Sequence, residues 1–378
     1  MAIYFSWRVL GQWRLPIWAR MLLSGLIVGF FEHHWLVSEI FGTSVASPEL
    51  PRPILIGLGG VYGVFLISVM LVALRDIAGL VILVVSKSVG QRVLNSCGAT
   101  LAICGVGIGA SVYSVYEAVR VPDIKTLEVT LTGLPSGLDG YKLVLLTDLH
   151  ISKLFQRDWV EKVVSKTNSL SANAIVISGD LVDGLPEDRK LDIAPLSSLE
   201  AQDGIYAVTG NHEYYAAYDG WLRAFDELGI HLLENSHVVI KPELGGFVLA
   251  GVPDEVSAKF GQERPDVMNA LAGRPPELPA VLLDHRPGRI LANAKAGVDL
   301  QLSGHTHGGH IRGVDLVVKA FNNGFVSGCY QVGASILYVS NGAGLWPGLS
   351  LRLGRPSEIT EITLRSPEAA TVSEQRLR

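Results

Sequence analysis

Five short blocks, each directly after an apolar run, constrain this chain more than any other feature. They are Asp148-Leu149-His150, Gly179-Asp180, Gly210-Asn211-His212-Glu213, His285 and Gly304-His305-Thr306-His307. The runs before them are short and read as strands. Side chains from five strand ends act jointly only if a sheet scaffold presents them on neighbouring loops. The donors are carboxylates, imidazoles and an amide carbonyl, a set that hard and borderline divalent ions accept. No thiolate takes part, which argues against a structural zinc site.

The spacing adds detail. Asp148 and His150 are two residues apart, as are His305 and His307, so on an extended strand end each pair would face one side. Glycine precedes Asp180, Asn211 and His305. A residue without Cβ reads there as the point where the chain turns off its strand. Asp180 follows Ile175-Val176-Ile177 and reads as a carboxylate that bridges two ions. Singly, each block could be a turn or a surface segment. Together, seven donors (Asp148, His150, Asp180, Asn211, His285, His305 and His307) suit two metal ions with water positions left open.

The apolar residues are unevenly spread. Only 18% of the 378 residues are charged, against about 25% in average soluble domains. The excess of apolar residues lies before about Glu117. Ile54 to Leu74 carries no charge over 21 residues, and Val93 to Tyr116 is a second uncharged stretch. Each is long enough to cross about 30 Å of hydrocarbon as a helix, and their glycines suit close helix packing in lipid. Met21 to Phe31 is shorter. It either continues through Trp35 to Val37 as a span or lies in the interface. Ile77 to Ser86 either prolongs the Ile54 helix or forms a separate piece. No early apolar segment is followed by a cleavage site of the signal-peptide kind.

Basic residues orient such spans. Arg8, Arg14 and Arg20 precede the first segment, and Arg75, Lys87 and Arg92 lie between the second and the last. The preferred reading has about three spans with the N-terminus inside, which places everything after Glu117 on the extracytoplasmic side of the inner membrane. Two or four spans would leave it cytoplasmic. Residues 1–120 thus read as a transmembrane helical region, 121–366 as the catalytic domain and 367–378 as a polar tail. Cys97 and Cys104 fall in an apolar run and Cys329 stands alone, so no disulfide framework is readable. A net charge of -5 without a basic cluster gives no sign of nucleic-acid binding.

From about Val121 short strands alternate with helices. Leu127–Leu131, Lys142–Leu146, Ala174–Ile177, Gly204–Val208, Phe247–Val252, Ala280–Leu283, Asp299–Leu302 and Ile336–Val339 read as strands. Asp158–Leu170 reads as a helix with Val160, Val163 and Val164 on one face, and Trp221–Leu228 as another. The alternation predicts an α/β or α+β sandwich of sheets flanked by helices.

These blocks resemble the calcineurin-like metallophosphoesterase superfamily, whose pattern is D-x-H, G-D-x-x-D, G-N-H-[DE], H and G-H-x-H. The likeness runs from about Lys142 to Thr363 and takes in Asp183 of Gly179-Asp180-Leu181-Val182-Asp183. The apolar N-terminal region, with the stretch Arg352-Leu353-Gly354 to Glu358-Ile359, is similar to a bacterial membrane-attached branch. One departure is His310, where many relatives carry Gln. The resemblance implies a four-layer fold of two mixed sheets with helices outside. It implies that Asp148, His150 and His307 bind one divalent ion, that Asn211, His285 and His305 bind a second, and that Asp180 bridges them. Mn, Fe and Zn all suit such donors. His212 would not be a ligand but would assist the leaving oxygen or charge on phosphorus, with Asp183 and Glu213 orienting it and the ligands. Two such ions can share a water, lower its pKa and clamp phosphate oxygens, so that the resulting hydroxide attacks phosphorus in line.

The expected substrate is a phosphoester (diester, monoester or pyrophosphate) of a small molecule or a lipid, handled at a bilayer. One narrower reading is a hydrolase of lipid-linked pyrophosphates such as UDP-2,3-diacylglucosamine. That substrate requires a cytoplasmic site. A different class of reading is a non-enzymatic membrane scaffold, which the complete donor set disfavours. There is no Walker A sequence, and without a G-x-S-x-G elbow a serine-hydrolase triad is set aside. His33 and His34 read as interfacial anchors, and His231 and His237 as surface residues. Tyr214 and Tyr215 either line the cleft or pack. Asn341-Gly342-Ala343-Gly344 reads as a turn near the site, which would let Trp346 reach an apolar substrate.

Overall fold

A computed structural model of the chain describes residues 1–32, 35, 37, 39 and 47–367. His33, His34, most of the extension of the first apolar segment towards Val37 and the tail from residue 368 lie outside the described residues. The chain forms two compact units. The first comprises the described residues up to Ala118 together with Gly348–Leu353, and the second runs from Val119 to Pro347 and resumes at Gly354.

The first unit is helical: α1 (Ala2–Leu10), α2 (Ile17–Phe31), α3 (Arg52–Val85), α4 (Lys87–Asn95) and α5 (Cys97–Val119). Pro53 sits in the first turn of α3, where its missing N–H costs nothing. The Ile77–Ser86 stretch prolongs the Ile54 segment, because α3 runs unbroken to Val85. The chain then reverses, and α4 lies back along the end of α3, with Leu83 against Gly90 and Leu94 against Gly79. Both α3 and α5 are long and apolar enough to cross a membrane, with mean hydropathies of 2.3 and 1.6. The rest of the chain leaves most of each uncovered, as befits lipid-facing helices rather than a water-soluble core. At 15 residues α2 is shorter, below the roughly 20 residues a span needs.

Small residues bring α3 and α5 together. A Cβ on Gly107 would lie 2.2 Å from Ser68 Oγ, and one on Gly63 would lie 2.5 Å from Ser111 Oγ and 2.6 Å from Leu351 Cδ2. The Ser111 hydroxyl donates to the Gly60 carbonyl at 2.7 Å. Ser350 and Leu351 are buried within this unit, and the Arg352 amide donates to the Ser114 carbonyl at 3.0 Å. Asp76 ties α1 to α3: it accepts from Tyr4 Oη at 2.7 Å and pairs with Arg8 and Arg75.

Among the described residues the second unit has twelve strands in two mixed sheets. These are β1 (Asp123–Thr130), β2 (Tyr141–Leu146), β3 (Ala174–Ser178), β4 (Ile205–Val208), β5 (His231–Leu232), β6 (Ser236–Ile240), β7 (Phe247–Gly251), β8 (Ala280–Leu283), β9 (Leu300–Ser303), β10 (Gly328–Val332), β11 (Ser335–Val339) and β12 (Glu358–Arg365). One sheet has the order β1-β12-β2-β3-β4-β5 and the other β10-β11-β9-β8-β7-β6. In the first sheet β2, β3, β4 and β5 run parallel, with β12 antiparallel to β2. In the second, β7, β8, β9 and β11 run parallel, flanked by antiparallel β6 and β10.

Alternation along the strands builds the core between the sheets. Leu143, Leu145 and Val176 meet Leu249, Val281, Leu283 and Leu302, all buried. The intervening Val144, Leu146, Ile175 and Ile177 are buried as well, as parallel strands covered on both faces require. The accompanying helices are α6 (Arg157–Asn168), α7 (Pro186–Ile193), α8 (His212–Tyr215), α9 (Tyr218–Glu227), α10 (Val267–Ala270), α11 (Ile290–Lys295) and α12 (Asp315–Phe321). Val160, Val163 and Val164 of α6 are buried as its pattern predicts.

The strands that escape sequence reading are β10 and β12, the strand-like piece that His231 and His237 flank proves to be two strands, β5 and β6, and β1 begins four residues before the expected Leu127. Their residues explain this. β5 has two residues, and β1 and β12 pair with each other while carrying Asp123, Lys125, Glu128, Glu358 and Glu361, so neither shows an apolar run. His231, expected at the surface, is exposed on β5. His237 is half-buried on β6, with Nδ1 2.7 Å from the Ala270 carbonyl.

Helix packing through small residues makes a specific prediction. Gly107→Leu should destabilise the protein by about 1–3 kcal/mol through overpacking. Gly105→Leu, whose added Cβ meets nothing within 4 Å, should change little. Thermal unfolding in detergent would check this, and equal effects of the two would refute the packing account.

Candidate metal centre

All five blocks begin where a parallel strand ends. β2 stops at Leu146, β3 at Ser178, β4 at Val208, β8 at Leu283 and β9 at Ser303. The loops beyond bring together donor atoms that lie within 4.8 Å of one another in three groups: Asp148, His150 and His307; Asp180, His285 and His305; and His150, Asp180 and His212. His150 Nε2 lies 3.6 Å from Asp180 Oδ2, His285 Nε2 lies 3.2 Å from the same oxygen, and His307 Nε2 lies 3.6 Å from Asp148 Oδ1. Asn211 joins through its neighbours, for its backbone leads into α8 and the His212 amide donates to Asp180 Oδ1 at 2.9 Å.

The local backbone departs from the extended reading. Asp148, His150, Asp180, His305 and His307 all have φ between 46° and 69°, the left-handed region that side chains other than glycine enter at a cost. The i, i+2 pairs therefore converge through tight loops and not along a strand face. The glycines also act differently from expectation. Gly210 and Gly304 do not have positive φ. Instead a Cβ on Gly210 would lie 2.2 Å from Asp180 Oδ1, and one on Gly304 would lie 2.2 Å from Asp148 Oδ2. Close approach to a carboxylate demands glycine at both.

Hydrogen bonds tie off one side of several rings. His150 Nδ1 is 3.1 Å from Asp183 Oδ2, and His285 Nδ1 is 2.7 Å from the Ser178 carbonyl. Each bond leaves Nε2 facing Asp180, and His150 Nε2 is buried without a hydrogen-bond partner. Lone pairs aimed at a buried carboxylate need a cation between them. The donor set and its orientation thus fit divalent ions. Asp183 also bonds His212 Nδ1. Glu213 accepts from four backbone amides: Gly210 at 2.7 Å, Leu181 at 2.7 Å, Asp180 at 3.1 Å and Val182 at 3.3 Å. It fixes two of the five loops against each other.

The electrostatics follow from burial. Burial raises the Asp148 carboxyl, and Asp180 adds to it. Burial also works to raise Asp180, but His285, His212 and His150 overcome it and hold that carboxyl well below the usual range. Burial opposes the charge on His285 and His212, yet Asp180 prevails in both, moving them to about 10 and about 9. His305 goes the other way, pushed well down by burial, His285 and Arg286. Glu213 rises to about 7 through burial and the Asp180 charge.

Several site residues went unread in the sequence. Arg286 points its Nη2 at Asn211 Oδ1 (3.2 Å) and its Nη1 at His305 Nε2 (3.0 Å), anchored by Nε to Asp254 Oδ2 at 2.7 Å. Its adjacency to His285 was the available signal. Asn341–Gly344 does lie at the site: the Ala343 and Gly344 amides donate to the Thr147 and Asp148 carbonyls, both at 2.9 Å. Tyr215 lines the opening, its ring 5.0 Å from His212 and its hydroxyl 3.1 Å from Asn211 Nδ2, whereas Tyr214 is buried packing. His310 has φ 58° and stacks 5.0 Å from the His307 ring.

Known proteins are similar to this chain in sequence. Residues 141–309 match the calcineurin-like phosphoesterase family. An uncharacterized metallophosphoesterase of Helicobacter pylori is 38% identical over 251 residues, 66% of this chain and 65% of that protein. One from Aquifex aeolicus is 30% identical over 234 residues, 61% of this chain and 87% of that protein. A Danio rerio protein called a transmembrane protein with metallophosphoesterase domain is 35% identical over 266 residues, 68% of this chain and 60% of that protein. The matched part of the chain thus spans less than two thirds of the Helicobacter and Danio relatives. The fold and these relatives define the class, the metallophosphoesterases. The chain belongs to the calcineurin-like phosphoesterase family.

Gly210→Ala and Gly304→Ala should each displace a carboxylate and strip most bound divalent metal while preserving the circular dichroism spectrum. Elemental analysis of the purified variants would check this. Full metal content in both would refute the close-approach account.

Proposed function

We propose that this protein is a membrane-bound phosphohydrolase using two divalent ions. Asp148, His150 and His307 would hold one ion, Asn211, His285 and His305 the other, and Asp180 both. The observation that carries this reading is the orientation of His150 and His285, each tied off at Nδ1 with Nε2 turned to Asp180. When bound, two such ions supply a polarised water as nucleophile and offset charge on the phosphoryl oxygens.

The chain's own residues do the rest. Asp183 holds His212 through Nδ1, so the proton that His212 can give the leaving oxygen sits on Nε2. Asp180 and Asp183 favour the protonated ring. Glu213, through its backbone bonds, keeps Asp180 and His212 in register. Manganese, iron or zinc suits the donors, and the substrate class is a phosphoester of a small molecule or lipid.

The membrane reading rests on α3 and α5. We take residues 1–120 as the membrane region, multi-pass in the inner membrane, and 121–366 as the phosphoesterase domain. With three spans the domain is extracytoplasmic. Protease added to spheroplasts, whose outer membrane is opened, should then digest it, and full protection would overturn that topology.

Activity tests follow on a generic phosphodiester and a phosphomonoester with Mn²⁺. Asp180→Asn should abolish measurable turnover. His212→Ala should lower turnover by about 10²–10⁴-fold with metal content unchanged. Equal inactivity of wild type and Asp180→Asn under every metal would favour a non-enzymatic scaffold. Binding should also respond to pH. In the metal-free protein His285 titrates at about 10, and it must lose that proton to act as a ligand. Calorimetric Mn²⁺ affinity should therefore rise from neutral pH towards pH 10, and an affinity that falls over that range would contradict the assignment.

A further inference from the structure

Directly after the His305–His310 loop, α12 carries an apolar stripe that none of the described residues covers. Leu316 is 69% exposed, Val317 57% and Phe321 85%, and Ala320 is exposed between them. The spacing of these four places them on one face of two helical turns. The opposite side is anchored, since Asp315 is buried and pairs with Arg355, and a Cβ on Gly309 of the metal loop would lie 2.4 Å from Asp315 Cα. Folding therefore fixes α12 to the site and leaves its apolar face outward, the arrangement that marks an interaction surface.

Two observations point to what covers it. The flanking exposed charges, Arg312 and Lys319, are basic, and the one acid, Asp315, is neutralised within the fold, which suits anionic headgroups. Four side chains on two turns are also too small for a stable dimer, which needs about 800 Å² per partner.

We propose that α12 is a membrane-facing surface: Leu316, Val317, Ala320 and Phe321 enter the headgroup boundary of the bilayer, so that the adjacent metal loop acts on phosphoesters presented there. The proposal rests on the membrane-bound phosphohydrolase reading and narrows its substrates to those at a lipid surface.

The test uses the full chain in vesicles of phosphatidylcholine and phosphatidylglycerol. Phe321→Cys, and Glu277→Cys as an exposed control, are labelled with an environment-sensitive fluorophore in a Cys97→Ser, Cys104→Ser, Cys329→Ser background. Doxyl-labelled lipid should quench the label at 321 and spare that at 277, while aqueous iodide should do the reverse. Iodide quenching at both positions overturns the proposal. So does a label at 321 shielded from both quenchers with a cross-linkable dimer, which would assign the face to a second copy. Phe321→Asp should lower turnover of a vesicle-borne phospholipid relative to a soluble phosphodiester by roughly tenfold, the worth of one large apolar side chain. An unchanged ratio counts against the proposal. Carbonate extraction scores the spans separately: released protein whose label is still quenched by lipid would sink the spanning reading and leave the α12 surface standing.

Discussion

Burial of the Asp180 carboxylate is the interaction on which the rest of the site depends. It is 1% exposed, and an isolated charge in such a place costs several kcal/mol. The fold meets that cost from every side. The His212 amide bonds one oxygen, and the His285 and His150 rings stand near the other. Glu213 takes up the amide of Asp180 itself. The partners come from three strand ends, those of β2, β4 and β8, so stabilising one charge assembles most of the site. The strained left-handed residues are sustained in the same way, by neighbours that determine their positions.

A hierarchy of chemistry follows from this. His150 is held by Asp183 and His285 by the Ser178 carbonyl, and Asp183 also links His150 with His212. A change at Asp183 therefore reaches both rings. Arg286 adds a fixed positive charge beside Asn211 and His305. Its bond to Asp254 fixes that charge in place.

Much of the site was legible in the sequence because the chemistry restricts residue type. Carboxylates and imidazoles after apolar runs have little packing value, and Asp148, Asp180, His285 and His307 stand out for that reason. The backbone was not legible. Asp148 and His150 suggest a strand face, yet both have positive φ, since only the close approach of Gly304 and Gly342 to Asp148 dictates it. Arg286 acts through contacts that sequence spacing does not encode, whereas Asn341–Gly344 was readable as a turn near the site. The inner strands β2, β3, β8 and β9 announced themselves by apolar runs, whereas β1, β5 and β12 carry too few apolar residues or are too short. Hydropathy marked α3 and α5 but held no sign that α4 folds back upon α3.

The excursion of Gly348–Leu353 into the helical unit has a practical result. The chain leaves the phosphoesterase unit after Pro347, packs Ser350, Leu351 and Arg352 in buried positions among the helices, and returns at Gly354 to begin β12. The phosphoesterase is therefore not a contiguous stretch of sequence. A fragment cut at residue 120 would leave that loop without its helical neighbours and expose Leu349, Leu351 and Leu353, so a water-soluble version would need the loop redesigned.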